Sequence, residues 1–216
     1  ERDPRVLPSA PTGRTSDLGG VEAAFWDRML QHLPDLKASV VDKGYFGCPY
    51  AAPRPGQPYL AIGHSAGTLD LLGQDLPGCL GLIMFNGFGR FSESNDFPEG
   101  VPLRVLERMK RQLQRSPKTV LNDFRQRCGT DKPIPSDPMT AVLNQGLEHL
   151  IQNDERNAAT CWENRLHWMT GLSDPFPPSQ AGFNVPGEKV EGGHLLPLEQ
   201  PELCADFVLR QVEQHG

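Results

Sequence analysis

Short apolar runs of strand length alternate with segments whose apolar residues recur at helical spacing. The strand predictions fall at 37–42, 59–63, 81–85, 165–169 and 188–190. Amphipathic helices are predicted near both ends of the chain: one over 21–33, which stops before Pro34, and one after Pro201. Strands that alternate with helices indicate an α/β fold, with a mostly parallel central sheet and helices on both faces.

The pattern changes between residues 90 and 154, where helices are predicted without strands. Pro102 and Pro117 each suit the first turn of a helix, and a third helix is predicted over 139–151. An all-helical insertion within an α/β sheet protein is typical of a lid or cap. The predicted organisation is therefore a core formed by 1–89 and 155–216, with a helical cap at 90–154.

The strand at 59–63 leads directly into Gly63-His64-Ser65-Ala66-Gly67, which fits the pattern G-x-S-x-G of a nucleophile elbow. In such an elbow the serine occupies a strained turn between strand and helix, and small residues two positions to either side allow the backbone to pack tightly. The backbone N–H of Ala66 would then be free to stabilise an oxyanion. The five residues alone also fit an ordinary glycine-rich turn. The strand before the motif, the helix after it and the lack of a second match favour the elbow, with Ser65 as nucleophile.

The catalytic partners of such a serine follow in the order acid, then histidine. Asp174 comes after the apolar strand 165–169, and His194 follows two glycines after the short strand 188–190. Taken singly, Asp174 also fits an Asp-Pro turn and His194 a surface loop; their order and placement favour a triad. His194 would take the proton of Ser65 and Asp174 would orient the ring, so an acyl-enzyme forms with no metal or organic cofactor. Asp154 is the next carboxylate to consider if Asp174 is not the acid.

Composition limits the remaining classes of function. A chain of 216 residues, 38% hydrophobic and 22% charged, is expected to fold as one unit, and no apolar run is long enough for a membrane helix. Five scattered cysteines and a start without an apolar signal core are expected of a cytoplasmic protein without disulfides or structural zinc. The net charge of -6 gives no reason to expect nucleic acid as a partner. A monomer is the expected state.

The charge is distributed unevenly. Residues 104–127 hold eight basic and two acidic side chains, a net +6, so the rest of this chain of net charge -6 carries -12. Arg104, Arg108, Arg111 and Arg115 recur at spacings of four, three and four, which places them on one face of a helix, and Lys118 and Arg125 are expected to extend the basic stripe. A solvated helix face is the alternative, but the concentration of basic residues favours an acidic partner.

Several stretches of the sequence resemble the pimeloyl-acyl carrier protein methyl ester carboxylesterases of biotin synthesis, which have the α/β-hydrolase fold. The resemblance rests on GHSAG at 63–67, RFSESNDFP at 90–98, LNDFRQRCG at 121–129 and GGHLLP at 192–197. It implies that Ser65, Asp174 and His194 form the triad and that no cofactor is used. It also implies that basic residues between Arg104 and Arg127 bind an acidic acyl carrier protein and its phosphopantetheine phosphate.

One segment departs from that family. Members of the family carry a His-Gly-Trp-Gly type loop after the first central strand, and this loop supplies the second oxyanion N–H. The equivalent place, between Val6 and Trp26, has no such motif, so the second donor is unassigned. Two other functions stay open: a hydrolase of small free esters or thioesters, and a hydrolase-fold binding protein that kept its triad without turnover.

Overall fold

The computed structural model describes residues 10–12, 25–51, 55–132, 134 and 136–215, with only the backbone described at 10–12 and 51. A seven-stranded sheet in the order β3-β2-β1-β4-β5-β6-β7 runs through the molecule. The strands are β1 Ala10–Thr12, β2 Ala38–Asp42, β3 Tyr50–Ala51, β4 Tyr59–His64, β5 Cys79–Phe85, β6 Leu166–Gly171 and β7 Glu188–Val190. All pairings in the described sheet are parallel except that between β2 and β3. The five predicted strands are therefore confirmed, within a residue or two at their ends.

Both faces of the central strands are buried, as the apolar runs require. Along β5, Ile83 and Phe85 belong to one hydrophobic cluster, whereas Leu82 and Met84 belong to a second. Because successive side chains of a strand point to opposite faces, the two clusters lie on the two sides of the sheet. Helices cover both, which confirms the predicted α/β architecture.

Nine α-helices lie in the described part of the chain. They are α1 Asp27–Leu30, α2 Ala66–Leu72, α3 Leu103–Arg115, α4 Pro117–Arg127, α5 Thr140–Gln152, α6 Arg156–Trp162, α7 Pro177–Ala181, α8 Leu196–Glu199 and α9 Pro201–His215. Helix α1 is shorter than the predicted helix at 21–33. Residues 21–24 lie outside the described chain, and after Leu30 the backbone continues as turns toward Pro34.

Helices α3, α4 and α5 follow one another between β5 and α6, and no strand lies among the described residues of 90–154. The two ends of this helical segment meet: Arg90 Nη1 donates to Asp154 Oδ2 at 2.7 Å, and the Glu155 N–H donates to the Gly89 carbonyl at 2.7 Å. Hydrogen bonds from Arg156 and then Arg90 hold the pKa of Asp154 well below its usual value. The chain thus leaves the sheet and returns to it at one point, and Asp154 serves as an ion-pair partner there.

A histidine pair lies where β6 meets the end of α9. His167 Nε2 and His215 Nε2 are 3.0 Å apart, so one ring must accept a hydrogen bond and be neutral. Partial burial lowers the pKa of both rings. The charge of His215 lowers the pKa of His167 further, and the charge of Arg165 does the same for His215.

This pair predicts acid-sensitive stability. Below the ordinary histidine pKa of about 6.5, the unfolded chain takes up protons that the folded protein resists, so the free energy of unfolding falls as pH drops from about 7 toward 5. We expect the double variant His167→Gln/His215→Gln to show a shallower pH dependence than the wild type in urea unfolding across that range. An unchanged slope would mean that the pair does not contribute.

Candidate active site

The candidate nucleophile occupies a strained backbone position between β4 and α2. Ser65 has φ 51° and ψ −125°, a conformation that costs a non-glycine residue roughly 1–3 kcal/mol. A Cβ on Gly63 would lie 3.0 Å from Leu71 Cδ1 and 3.3 Å from the backbone carbonyl of Gly67, so a larger residue would have to displace these neighbours. The Thr68 hydroxyl donates to the Ser65 carbonyl at 2.7 Å, and the Ser65 N–H donates to Phe85 O at 3.1 Å. These contacts hold the turn in the geometry that the motif predicts.

The structure brings the three predicted site residues into one hydrogen-bonded chain. His194 Nε2 lies 3.0 Å from Ser65 Oγ, and His194 Nδ1 lies 2.8 Å from Asp174 Oδ2. The residues follow the carboxyl ends of β4, β6 and β7, which meet at one edge of a parallel sheet. The side chains of His194 and Asp174 are completely buried, and Ser65 is 4% exposed. With Asp174 accepting from Nδ1–H, the Nε2 of His194 is left free to accept the serine proton.

Asp174 is held as an ionised acceptor despite its burial. Its Oδ2 accepts from His194, from Asn86 Nδ2 at 2.7 Å and from Ser179 Oγ at 2.7 Å, while Oδ1 accepts the Phe176 N–H at 2.9 Å. Burial on its own would raise the pKa of Asp174. The hydrogen bonds and the charge of His194 outweigh that effect and lower the pKa below its usual value.

Aromatic side chains connect the helical segment to the histidine. The Phe176 ring meets His194 edge-on at 4.6 Å between centroids, and Phe124 of α4 stacks on Phe176 at 5.4 Å. Phe91 also contacts Phe176, and the Arg127 guanidinium lies 5.1 Å from the centre of the same ring. These apolar rings shield the histidine from water on this side, which strengthens the electrostatic interactions at the site.

Ala66 is the first residue of α2, so no carbonyl four residues earlier within the helix accepts its N–H. This is the position that the sequence predicts for one oxyanion donor. The segment between Val6 and Trp26, which bears on the second donor, lies mostly outside the described residues.

Two polar residues that contact the acid were not predicted. Asn86 directly follows β5, at the edge of the sheet where the triad residues lie, which we call the catalytic edge. A polar residue at the end of an apolar strand is a sequence signal from which it could have been predicted. Ser179 in α7 carries no comparable signal. His64 lies beside the site as well, where its Nε2 is 2.7 Å from the His194 carbonyl.

The predicted basic residues divide into two groups. Arg104, Arg108, Arg111 and Arg115 of α3 are exposed and form no ion pair with any residue that the structure describes; we call these four the basic face. Lys118 is exposed and pairs with Asp137 at 2.5 Å. Arg125 does not extend an exposed stripe: it is only 9% exposed, and its Nε donates to the Lys132 carbonyl at 3.2 Å.

The described residues contain no group of three or more His, Cys, Asp or Glu side chains that could hold a metal ion. None of the helices in the described chain has the length and apolar character needed to cross a membrane.

Several solved enzyme structures are similar to this chain over most of its length. A bromoperoxidase from Bacillus anthracis superimposes with a TM-score of 0.73 at 14% identity, covering 95% of this chain and 92% of its own. The esterase EaEST from Exiguobacterium antarcticum gives 0.71 at 14% identity, covering 96% and 93%. An enol-lactonase from Burkholderia xenovorans LB400 gives 0.70 at 12% identity, covering 97% and 93%. No protein-family model and no curated protein sequence matches the chain. The chain therefore has the α/β-hydrolase fold, which confirms the predicted fold class.

Proposed function

We propose that this protein is a serine carboxylesterase that hydrolyses the methyl ester of pimeloyl-acyl carrier protein. The observation that carries the proposal is the buried chain of hydrogen bonds from Ser65 through His194 to Asp174, with the serine in a strained turn. The esterase and the enol-lactonase among the similar structures are named for cleaving acyl–oxygen bonds, which supports the same class of reaction here.

The geometry supports a two-step acyl transfer. His194 Nε2 takes the proton of Ser65 as the serine oxygen attacks the ester carbonyl, and the Ala66 N–H faces the developing oxyanion. The intermediate collapses, the C–O bond to the methoxy group breaks, and His194 returns the proton so that methanol leaves. Water then attacks the acyl-serine with His194 again as base, which releases the free acid and restores Ser65. Asp174 holds the Nδ1–H tautomer and stabilises the imidazolium in both steps.

The proposed substrate is supported by the charges on α3. The four arginines of the basic face have no carboxylate partner among the described residues, whereas Lys110 of the same helix pairs with Glu148 at 2.6 Å. An acyl carrier protein is acidic and holds its acyl chain on a phosphate-bearing arm, and arginine binds phosphate oxygens in pairs. The second candidate is a hydrolase of small free esters, which the triad would serve equally well without a carrier protein.

The test of the proposed substrate is intact-mass spectrometry of methyl pimeloyl-carrier protein after incubation with the enzyme. We expect the carrier-linked chain to lose the mass of one CH2, because the methyl ester becomes the free acid. This hydrolysis should occur at enzyme concentrations at which free dimethyl pimelate stays intact. Equal hydrolysis of both esters would favour the small-ester hydrolase.

Charge reversal on the basic face should separate carrier recognition from chemistry. In the Arg111→Glu/Arg115→Glu variant we expect KM for the carrier-linked ester to rise roughly tenfold and its salt dependence to flatten, because charges at a contact rim steer association. Hydrolysis of a small neutral ester should change little.

The control is Lys37→Glu, which reverses an exposed charge just before β2, outside the basic face. If both substrates suffer equally in the double variant, the arginines are structural. If neither does, the basic face is solvated surface and the carrier-protein proposal loses its main physical support.

A further inference from the structure

Three side-chain donors converge on a single oxygen of Asp174. Its Oδ2 accepts from His194 Nδ1 at 2.8 Å, from Asn86 Nδ2 at 2.7 Å and from Ser179 Oγ at 2.7 Å. Asn86 is completely buried and comes directly after β5, the strand that lies between those preceding Ser65 and Asp174. Its amide therefore sits at the centre of the catalytic edge.

Asn86 has two uncommon features. Its φ of 49° lies in the left-handed region, and its Oδ1 is buried without a hydrogen-bond partner among the described residues. Such features persist where the surroundings compensate for them, and they concentrate at functional sites. The opposite amide orientation would place Oδ1 against the Asp174 carboxylate, two acceptors facing each other. The contacts therefore fix Nδ2 toward the acid.

The same amide also reaches the loop that carries the histidine. Asn86 Nδ2 donates to the Gly193 carbonyl at 3.0 Å, one residue before His194, and lies 3.3 Å from Thr170 Oγ1. Since an NH2 group has two hydrogens, the two shorter contacts satisfy both. One neutral side chain thus connects the acid to the backbone that precedes the base.

We propose that Asn86 is a positioning residue of the catalytic site, which fixes the Asp174 and His194 loops relative to each other and limits the negative charge that Asp174 presents to the imidazole. The proposal rests on the triad role assigned to Ser65, Asp174 and His194. Asn86 itself touches neither Ser65 Oγ nor the reacting atoms, and acts through Asp174 and the Gly193 carbonyl.

The electrostatic consequence has a definite sign. A hydrogen-bond donor stabilises the carboxylate, so removing it leaves a more basic Asp174 that holds the imidazolium more strongly. His194 then loses its proton at higher pH, and the acid limb of the activity profile moves upward. In the part of the chain that the structure describes, the other charged or titratable groups close to the His194 loop include His64 at the His194 carbonyl, Glu199, which accepts the Gly193 N–H, and Arg127 over Phe176. All three stay unchanged in the variants below.

The main variant is Asn86→Asp, which keeps the shape but replaces the donor by a second carboxyl group beside Asp174. Two carboxylates this close titrate as a coupled pair, and one holds its proton to higher pH. Asn86→Gly removes the amide and tolerates the positive φ, and Ser179→Ala removes the other donor to the same oxygen. Asn157→Asp, an exposed position in α6, is the matched control for the chemical change.

Two readouts are measured across pH: the NMR titration of the His194 imidazole, and the rate at which a fluorophosphonate labels Ser65. For Asn86→Asp we expect the midpoint of the His194 titration and the acid limb of the labelling-rate profile to move up together by about one pH unit or more. Labelling at neutral pH should slow by roughly 100-fold. Asn86→Gly and Ser179→Ala should move both upward by less. Asn157→Asp should match the wild type.

A folded Asn86→Asp whose titration and labelling profiles coincide with the wild type would overturn the proposal. If that variant does not fold, coincident profiles in Asn86→Gly and Ser179→Ala would do the same. If the wild type is not labelled at Ser65 but the midpoint of the His194 titration moves in Asn86→Asp, the positioning role is supported and the proposed esterase activity is contradicted. Slower labelling with no movement of either midpoint would indicate structural damage only, and would also overturn it.

Discussion

Replacing Ser65 by alanine is expected to lower turnover of a p-nitrophenyl ester by roughly 10^4-fold or more while the fold is retained. The hydroxyl is the atom that forms the acyl-enzyme, and without it His194 has no serine proton to accept. Alanine is smaller than serine and accepts the same backbone turn at comparable cost, so circular dichroism and thermal unfolding should stay close to the wild type.

The matched control is Ser116→Ala, the same chemical change at an exposed position between α3 and α4, where the side chain makes no cap hydrogen bond. It should retain full activity. Turnover by Ser65→Ala within tenfold of the wild type would remove Ser65 from the mechanism.

Asp174→Asn should be nearly as severe, with a loss of about 10^4-fold in kcat. The amide can present its NH2 group to Nδ1 of His194, which favours the tautomer whose Nε2–H faces Ser65 and cannot accept its proton. The loss in His194→Ala should be similar, and the double variants with Ser65→Ala should lose little more than the single ones, because the three residues act as a unit. Steady-state kinetics on a small ester measure each case.

Asp154→Asn is the control for the choice of acid. Asp154 is held by Arg90 and Arg156 where the helical segment rejoins the core, so its replacement should leave the pH profile of kcat unchanged. A large loss in Asp154→Asn together with an active Asp174→Asn would reassign the acid.

The strands and the central chemistry were predictable because local signals coincide there. Buried strands such as β4 and β5 have continuous apolar sequences, since both of their faces are covered. The tight turn at Ser65 favours glycine at 63, and the acid and histidine must follow strands in a fixed order. These requirements act along the chain, so the sequence displays them directly.

Other features depend on how the chain folds back on itself. Lys118 and Arg125 are seven residues apart and were expected on one exposed face. The connection after α4 folds back so that the Lys132 carbonyl accepts from Arg125, which is buried as a result. Asn86 contacts Asp174, 88 positions away. No local hydrophobic pattern encodes these two contacts, because each forms only when the chain folds back on itself.

The nucleophilic role of Ser65 is tested most directly by acid quenching of the enzyme during turnover of a slowly hydrolysed ester, followed by peptide mapping. We predict that the acyl group appears on the peptide containing Ser65 during turnover and is lost at the rate at which the free acid forms. Formation of the free acid with no acyl group on Ser65, or with an acyl group on another residue, would contradict that role.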